Sequence, residues 1–203
     1  MYFLGFAGRS DDKVFANEMT FAQKLFDTHY DTQGHSIALL NSYGTFEKVP
    51  IATAHNLTDA LNGVAKRMNV EEDILFLFLS WHGSRNFNLS VAFYPVQLND
   101  LSADELKKIL DESGIKNRVI VVLACYSGGF IDALKNDNTL ILTAARRDRT
   151  SFGCGVESEF TYFGDAFFVQ ALSGKPFAGI RFKKVGRSAT GSFTDIYAGL
   201  CAS

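Results

Sequence analysis

The chain has 203 residues, a formal net charge of −2, 47% hydrophobic content, three prolines and three cysteines. Near-neutral charge gives no electrostatic reason to expect nucleic acid or an anionic membrane as partner, and the composition is that of a folded domain. No apolar stretch approaches the ~18 residues needed to span a bilayer. Three cysteines without a Cys-x-x-Cys or a His-x-x-x-His make neither a disulfide framework nor a structural zinc site, and free thiols suit a reducing compartment.

Strand and helix signals alternate along the chain. Tyr2–Phe6 reads as a core strand, and Gly8–Asp12 as a turn. Phe15, Met19, Ala22, Leu25 and Phe26 then fall on one face of a helix. Ser36–Leu40 is a second strand, and Leu57, Leu61, Val64 and Met68 mark a second helix face. Residues 74–79 (Ile-Leu-Phe-Leu-Phe-Leu) form an uninterrupted apolar run, followed by an alternating segment at residues 89–94 that predicts a short half-exposed strand. Ser102-Ala-Asp-Glu105 has capping-box form and opens a helix through Leu106, Ile109 and Leu110, which Ser113-Gly114 stops. A second apolar run at residues 119–123, a helix from about Gly129, a strand at Leu140–Thr143 and a helix from about Thr161 to Leu172 complete the pattern.

Strands that alternate with helices predict one α/β domain, a mostly parallel central sheet with helices on both faces. The domain is expected over residues 1–173. Residues 174–203, rich in Gly with scattered Lys and Arg, read as an irregular tail with at most a short strand near Ala178–Phe182. No signal peptide precedes Tyr2, so the chain as it stands reads as cytoplasmic. A segment missing upstream would change that expectation to periplasmic or membrane-tethered.

The chemistry lies where the two apolar runs end. One run leads into Ser80-Trp81-His82-Gly83, the other into Ala124-Cys125-Tyr126-Ser127-Gly128-Gly129. Runs polar on neither side are strands buried on both faces of a parallel sheet, and ligands bind beyond the carboxyl ends of such strands. A thiol and an imidazole delivered there read as nucleophile and general base. Gly83 leaves a bare backbone N–H for an oxyanion, and N–H groups at the helix start after Cys125 would favour a thiolate by roughly 0.3–1 kcal/mol.

Rival motifs fail on spacing. A cysteine phosphatase loop needs Arg six residues after the nucleophile, where this chain has Ile131. An α/β-hydrolase elbow needs Gly two before and two after, where Cys125 is flanked by Leu123 and Ser127. Papain-like enzymes place Cys before His in the chain; here His82 comes first.

His-Gly after one buried strand and Ala-Cys after the next resemble the caspase-like cysteine peptidases. The stretch from Leu142-Thr-Ala-Ala through Ser151-Phe-Gly-Cys154 to Thr161-Tyr-Phe-Gly-Asp165 is similar to the legumain family, peptidase family C13. Ala7-Gly8 after the first strand also matches. The likeness covers about residues 2–172 and is closest to bacterial members.

The resemblance implies a caspase–haemoglobinase fold, a Cys125–His82 dyad and an oxyanion hole from the N–H groups of Gly83 and Cys125. It implies peptide-bond hydrolysis through a thioester on a peptide or protein substrate, with no metal, cofactor, nucleic acid or membrane required. Candidate pocket residues are Glu157, Trp81, Ser127, Arg9 and Ser10. The Arg146-Arg-Asp-Arg149 run is a candidate reader of acidic substrate groups. Where the family has Glu two residues before the nucleophile and Asp before the His, this chain has Leu123 and Trp81. Its Arg-His pair falls on Ala16-Asn17, and its Asn after Ala-Gly-x on Ser10. The dyad carries over; a preference for asparagine does not. Two further readings of the same residues stay open: a non-hydrolytic caspase-like domain that binds peptides or partners, and a transpeptidase.

Overall fold

The computed structural model describes residues 1–151 and 159–173. Five strands form one parallel sheet: β1 (Tyr2–Ala7), β2 (Ser36–Leu40), β3 (Ile74–Ser80), β6 (Asn117–Leu123) and β7 (Thr139–Thr143), in the order β2-β1-β3-β6-β7. A two-stranded antiparallel pair, β4 (Asn88–Leu89) and β5 (Leu101–Ser102), stands apart from it. The apolar runs become the sheet centre, because only a strand flanked on both edges and covered on both faces needs no polar side.

Side chains alternate between two cores. Leu75, Leu77 and Leu79 of β3, with Ile120 and Val122 of β6, face α2 (Ala54–Ala65), α3 (Ala103–Glu112) and α4 (Phe130–Leu134). Phe76 and Phe78 of β3, with Val119, Val121 and Leu123 of β6, face α1 (Lys13–His29) and the last helix. Phe78 meets Phe168 of that helix edge-on, with ring centroids 4.6 Å apart. Aromatic packing of this kind adds about 0.5–1.5 kcal/mol beyond area burial.

The helix ends follow local chemistry. Asp12 caps α1 through its Oδ1, which accepts the Val14 N–H at 3.1 Å. Thr53 caps α2, and Ser102 caps α3 by accepting from the Glu105 N–H at 3.1 Å. Gly114, at φ +71°, follows the end of α3 in the left-handed conformation that glycine adopts without strain.

Three expectations change. The alternating segment at residues 89–94 contributes only Leu89 to β4; Ala92 instead bonds Gly8 and Ser10, which carries the chain across the end of β1. The final helix, α5 (Tyr162–Gly164), continues as a π-helical stretch over Asp165–Leu172, where the Ser173 N–H reaches Phe168 O five residues back. Met68 lies beyond the end of α2 yet packs in the core. The tail expected from residue 174, the strand near Ala178–Phe182 and the domain boundary between them lie outside the described residues. No helix among the described residues is long and apolar enough to cross a membrane.

Candidate active site

β3 and β6 are neighbours in register, Ser80 opposite Leu123, and the Trp81 N–H donates to Leu123 O at 2.9 Å just past the ladder. His82 and Cys125 each lie two residues beyond these adjacent strand ends. Gly83 is pressed against the Cys125 backbone: a Cβ there would overlap the Cys125 carbonyl oxygen. The glycine beside the imidazole is therefore required by close approach.

After Cys125 the chain turns sharply. Tyr126 takes a left-handed conformation, φ +57°, unusual for a residue with a large side chain. The segment after β7 holds the turn in place. Arg149 O accepts the Tyr126 N–H and Ala145 O the Gly128 N–H, both at 2.8 Å. A Cβ on Gly128 would stand 2.6 Å from Arg147 N. Arg85 donates to the Tyr126 hydroxyl at 3.3 Å and lies over its ring. The half-buried Cys125 Sγ is 3.5 Å from Ser151 Oγ.

Neither the Gly83 nor the Cys125 N–H has a protein acceptor among the described residues. Buried or half-buried backbone donors seldom stay unpaired without reason, and these two flank the thiol.

His82 is half exposed, its ring edge-on to Phe15 with centroids 4.9 Å apart. Its Nε2 is 3.8 Å from Asp12 Oδ2, within charge range but too long for a hydrogen bond. Burial holds the imidazole pKa below its ordinary value, helped by the Arg9 cation; Asp12 and Asp11 pull the other way. The neutral imidazole, the form that accepts a proton, thus persists to lower pH than in a free histidine.

The remaining predicted residues are placed differently from one another. Trp81 is interior, 2% exposed, stacked on Phe6 at 4.2 Å and bonded through Nε1 to Ser90 O at 2.6 Å. Its indole is thus a core group. Ser127 is fully buried and doubly bonded to Ala145, accepting from its N–H at 3.0 Å and donating to its carbonyl at 3.3 Å. Its hydroxyl is a strut of the turn. Arg9 and Ser10 follow the end of β1, Arg9 ion-paired with Asp11 and donating to Ser90 Oγ at 3.2 Å, Ser10 bonded through its N–H to Ala92 O.

In the arginine run, Arg146 pairs with Asp148 at 3.3 Å and Arg147 with Asp132 at 3.0 Å, so two of its guanidinium groups are already engaged. The Tyr126 and Gly128 N–H groups at the helix start are taken by backbone carbonyls. Glu157 and Cys154 lie outside the described residues. His29, His35 and His55 are exposed. Among the described residues no group of three or more His, Cys, Asp or Glu stands close enough to hold a metal ion.

Asp12, Phe15 and Ser151 are the neighbours that the sequence reading passed over. Asp12 carries one local signal, an Asp immediately before an amphipathic helix, but that signal points to a cap. Its second role depends on a contact 70 residues along the chain.

A parallel α/β sheet with His-Gly and Ala-Cys at adjacent strand ends defines a caspase-like cysteine-peptidase scaffold. The sequence profile of the peptidase C13 family matches residues 46–176, and the chain belongs to that family. No curated protein matches it.

Proposed function

We propose that this chain is a cysteine endopeptidase in which Cys125 is the nucleophile and His82 the base and acid. The observation that carries the reading is the pair of N–H groups, Gly83 and Cys125, that have no protein acceptor among the described residues and flank a thiol at the end of a strand paired with the one that leads to His82. His82 takes the Cys125 proton as sulfur attacks the substrate carbonyl carbon. The two N–H groups receive the oxyanion. Collapse of the tetrahedral adduct breaks the C–N bond, His82 returns the proton to the leaving amine, and a thioester remains. Water, deprotonated by His82, then releases the acid and restores the thiol. Asp12, 3.8 Å from Nε2, supports the imidazolium that forms in each half-reaction.

The supporting test is alkylation with iodoacetamide, which reports thiolate supply without needing a substrate. Cys125 in the wild type is expected to react at least tenfold faster near neutral pH than in His82→Ala, with circular dichroism unchanged. Equal rates would sink the dyad.

A further inference from the structure

Four large apolar side chains stand exposed on two loops that the mechanism does not use. Tyr43 and Phe46 lie on the loop after β2, Tyr94 and Val96 on the segment that follows Ala92. Tyr94 is 80% exposed and Tyr43 54%. Phe93 ties them together: its ring is stacked on Tyr43 with centroids 5.2 Å apart and lies 6.0 Å from that of Phe46. Tyr162 is the one other large apolar side chain so exposed among the described residues. Single exposed apolar groups are ordinary, but a contiguous aromatic patch marks a surface that binds something.

The patch rests on a fixed base. Asn41 is buried; its Nδ2 donates to Gly8 O at 3.0 Å and to Ala52 O at 3.1 Å, and its Oδ1 accepts the Ala52 N–H at 2.8 Å. Those bonds hold the loop after β2 to the end of β1. The second loop is fastened at the same place, where the Ala92 N–H donates to Gly8 O and Ala92 O accepts from the Ser10 N–H. The Tyr43 hydroxyl, donating to Tyr94 O at 2.9 Å, joins the two loops. A surface ordered in advance loses little freedom when it is covered.

Register places this surface relative to the dyad. Leu40 of β2, Ala7 of β1, Ser80 of β3 and Leu123 of β6 are level with one another. Tyr43, Arg9, His82 and Cys125 follow those positions by two or three residues, in the sheet order β2-β1-β3-β6. Neighbouring strands are ~4.8 Å apart, so β2 ends about 10 Å from β3, the reach of about three residues of extended peptide. The direction comes from the chemistry. His82 returns its proton to the leaving amine, so the part of the substrate beyond the cut departs on the β3 side of Cys125. Past β3 on that side come β1, then β2 and the aromatic patch.

We propose that the surface formed by Tyr43, Phe46, Phe93 and Tyr94 is a subsite for an apolar side chain on the leaving-group side of the scissile bond, two or three residues beyond it. The proposal rests on the peptidase reading and adds a substrate class, peptides that carry Phe, Leu or a similar side chain at that place.

The test takes a peptide that the wild type cleaves and varies the residues beyond the cut, one at a time, among Phe, Leu, Ser and Glu. The wild type is expected to favour Phe or Leu over Ser at the second or third of these positions at least tenfold in kcat/KM, mainly through KM. In the double variant Phe46→Ser, Tyr94→Ser that preference is expected to fall to within twofold, with circular dichroism and the rate of Cys125 alkylation those of the wild type. Should the double variant not fold, Tyr94→Ser alone, at the most exposed of these residues, is expected to lower the preference at least threefold. A wild type without the preference, or variants that keep it, would overturn the subsite and leave the peptidase reading standing. A wild type that sediments as a dimer, which the double variant dissociates without losing the preference, gives the patch to a second copy of the chain and overturns the subsite as well. A wild type that cleaves no peptide overturns the peptidase reading and the subsite with it.

Discussion

His82 sits between charges of opposite sign, and each leaves its mark on when the imidazole is free to act. Burial and Arg9 lower its pKa, whereas Asp12 and Asp11 raise it. The acid limb of the Cys125 alkylation rate is therefore expected below the range of a free imidazole. Arg9→Gln removes a cation that disfavours imidazolium, so the limb moves up in pH. Asp12→Asn keeps the Val14 cap through its Oδ1 but removes an anion that favours imidazolium, so the limb moves down. Both groups are partly exposed and the shifts will shrink in salt. A limb that moves the same way in both variants would contradict the placement of these charges around His82.

At the scale of elements, the nucleophile turn is built as much by the segment after β7 as by the end of β6. Ser127 illustrates this. It sits within the Ala-Cys-Tyr-Ser-Gly-Gly motif and reads as pocket chemistry from spacing alone, but its hydroxyl closes on both polar backbone atoms of Ala145. Ser127→Ala strands the part-buried Ala145 N–H, and leaving such a donor unsatisfied costs about 1–3 kcal/mol. For a chain of this size that is a fall in unfolding midpoint of roughly 2–10 °C, measurable by calorimetry. A midpoint unchanged within a degree would show that the strut carries no weight. Strands and helices were legible because burial on two faces or one leaves a period in the sequence: the runs at 74–79 and 119–123 became β3 and β6, and the stripe from Phe15 to Phe26 became the buried face of α1. The segment at residues 89–94 misled because it alternates, while beyond Leu89 its backbone bonds go singly to His82, Gly8, Ser10 and the Asp100 carboxylate rather than into a continuous ladder.

For the whole molecule, the sheet decides which distant residues meet. Register sets the ends of β3 and β6 next to one another, so the His-Gly and Ala-Cys motifs leave the same edge of the sheet, as chain order and glycine context lead one to expect. The burial of the Trp81 indole could not be expected: next to His82 it reads as pocket chemistry, but the odd positions of β3 point into the core of α2 and α3, and Trp81 continues their row. Leu123 likewise belongs to the opposite core, against α1. The two positions that depart from the family's acidic pattern are thus interior places filled by apolar groups. The burial of Glu18 on α1 was invisible for the converse reason, since its partners Ser80 and Thr161 lie 62 and 143 residues away and an isolated Glu on a helix reads as solvated.

The peptidase reading is tested most directly by digesting a peptide library with the wild type and with Cys125→Ala, before and after acid incubation in case maturation is needed. New amino termini are expected with the wild type and not with Cys125→Ala. The same products from both proteins, or none from a wild type whose Cys125 is alkylated readily, would contradict it.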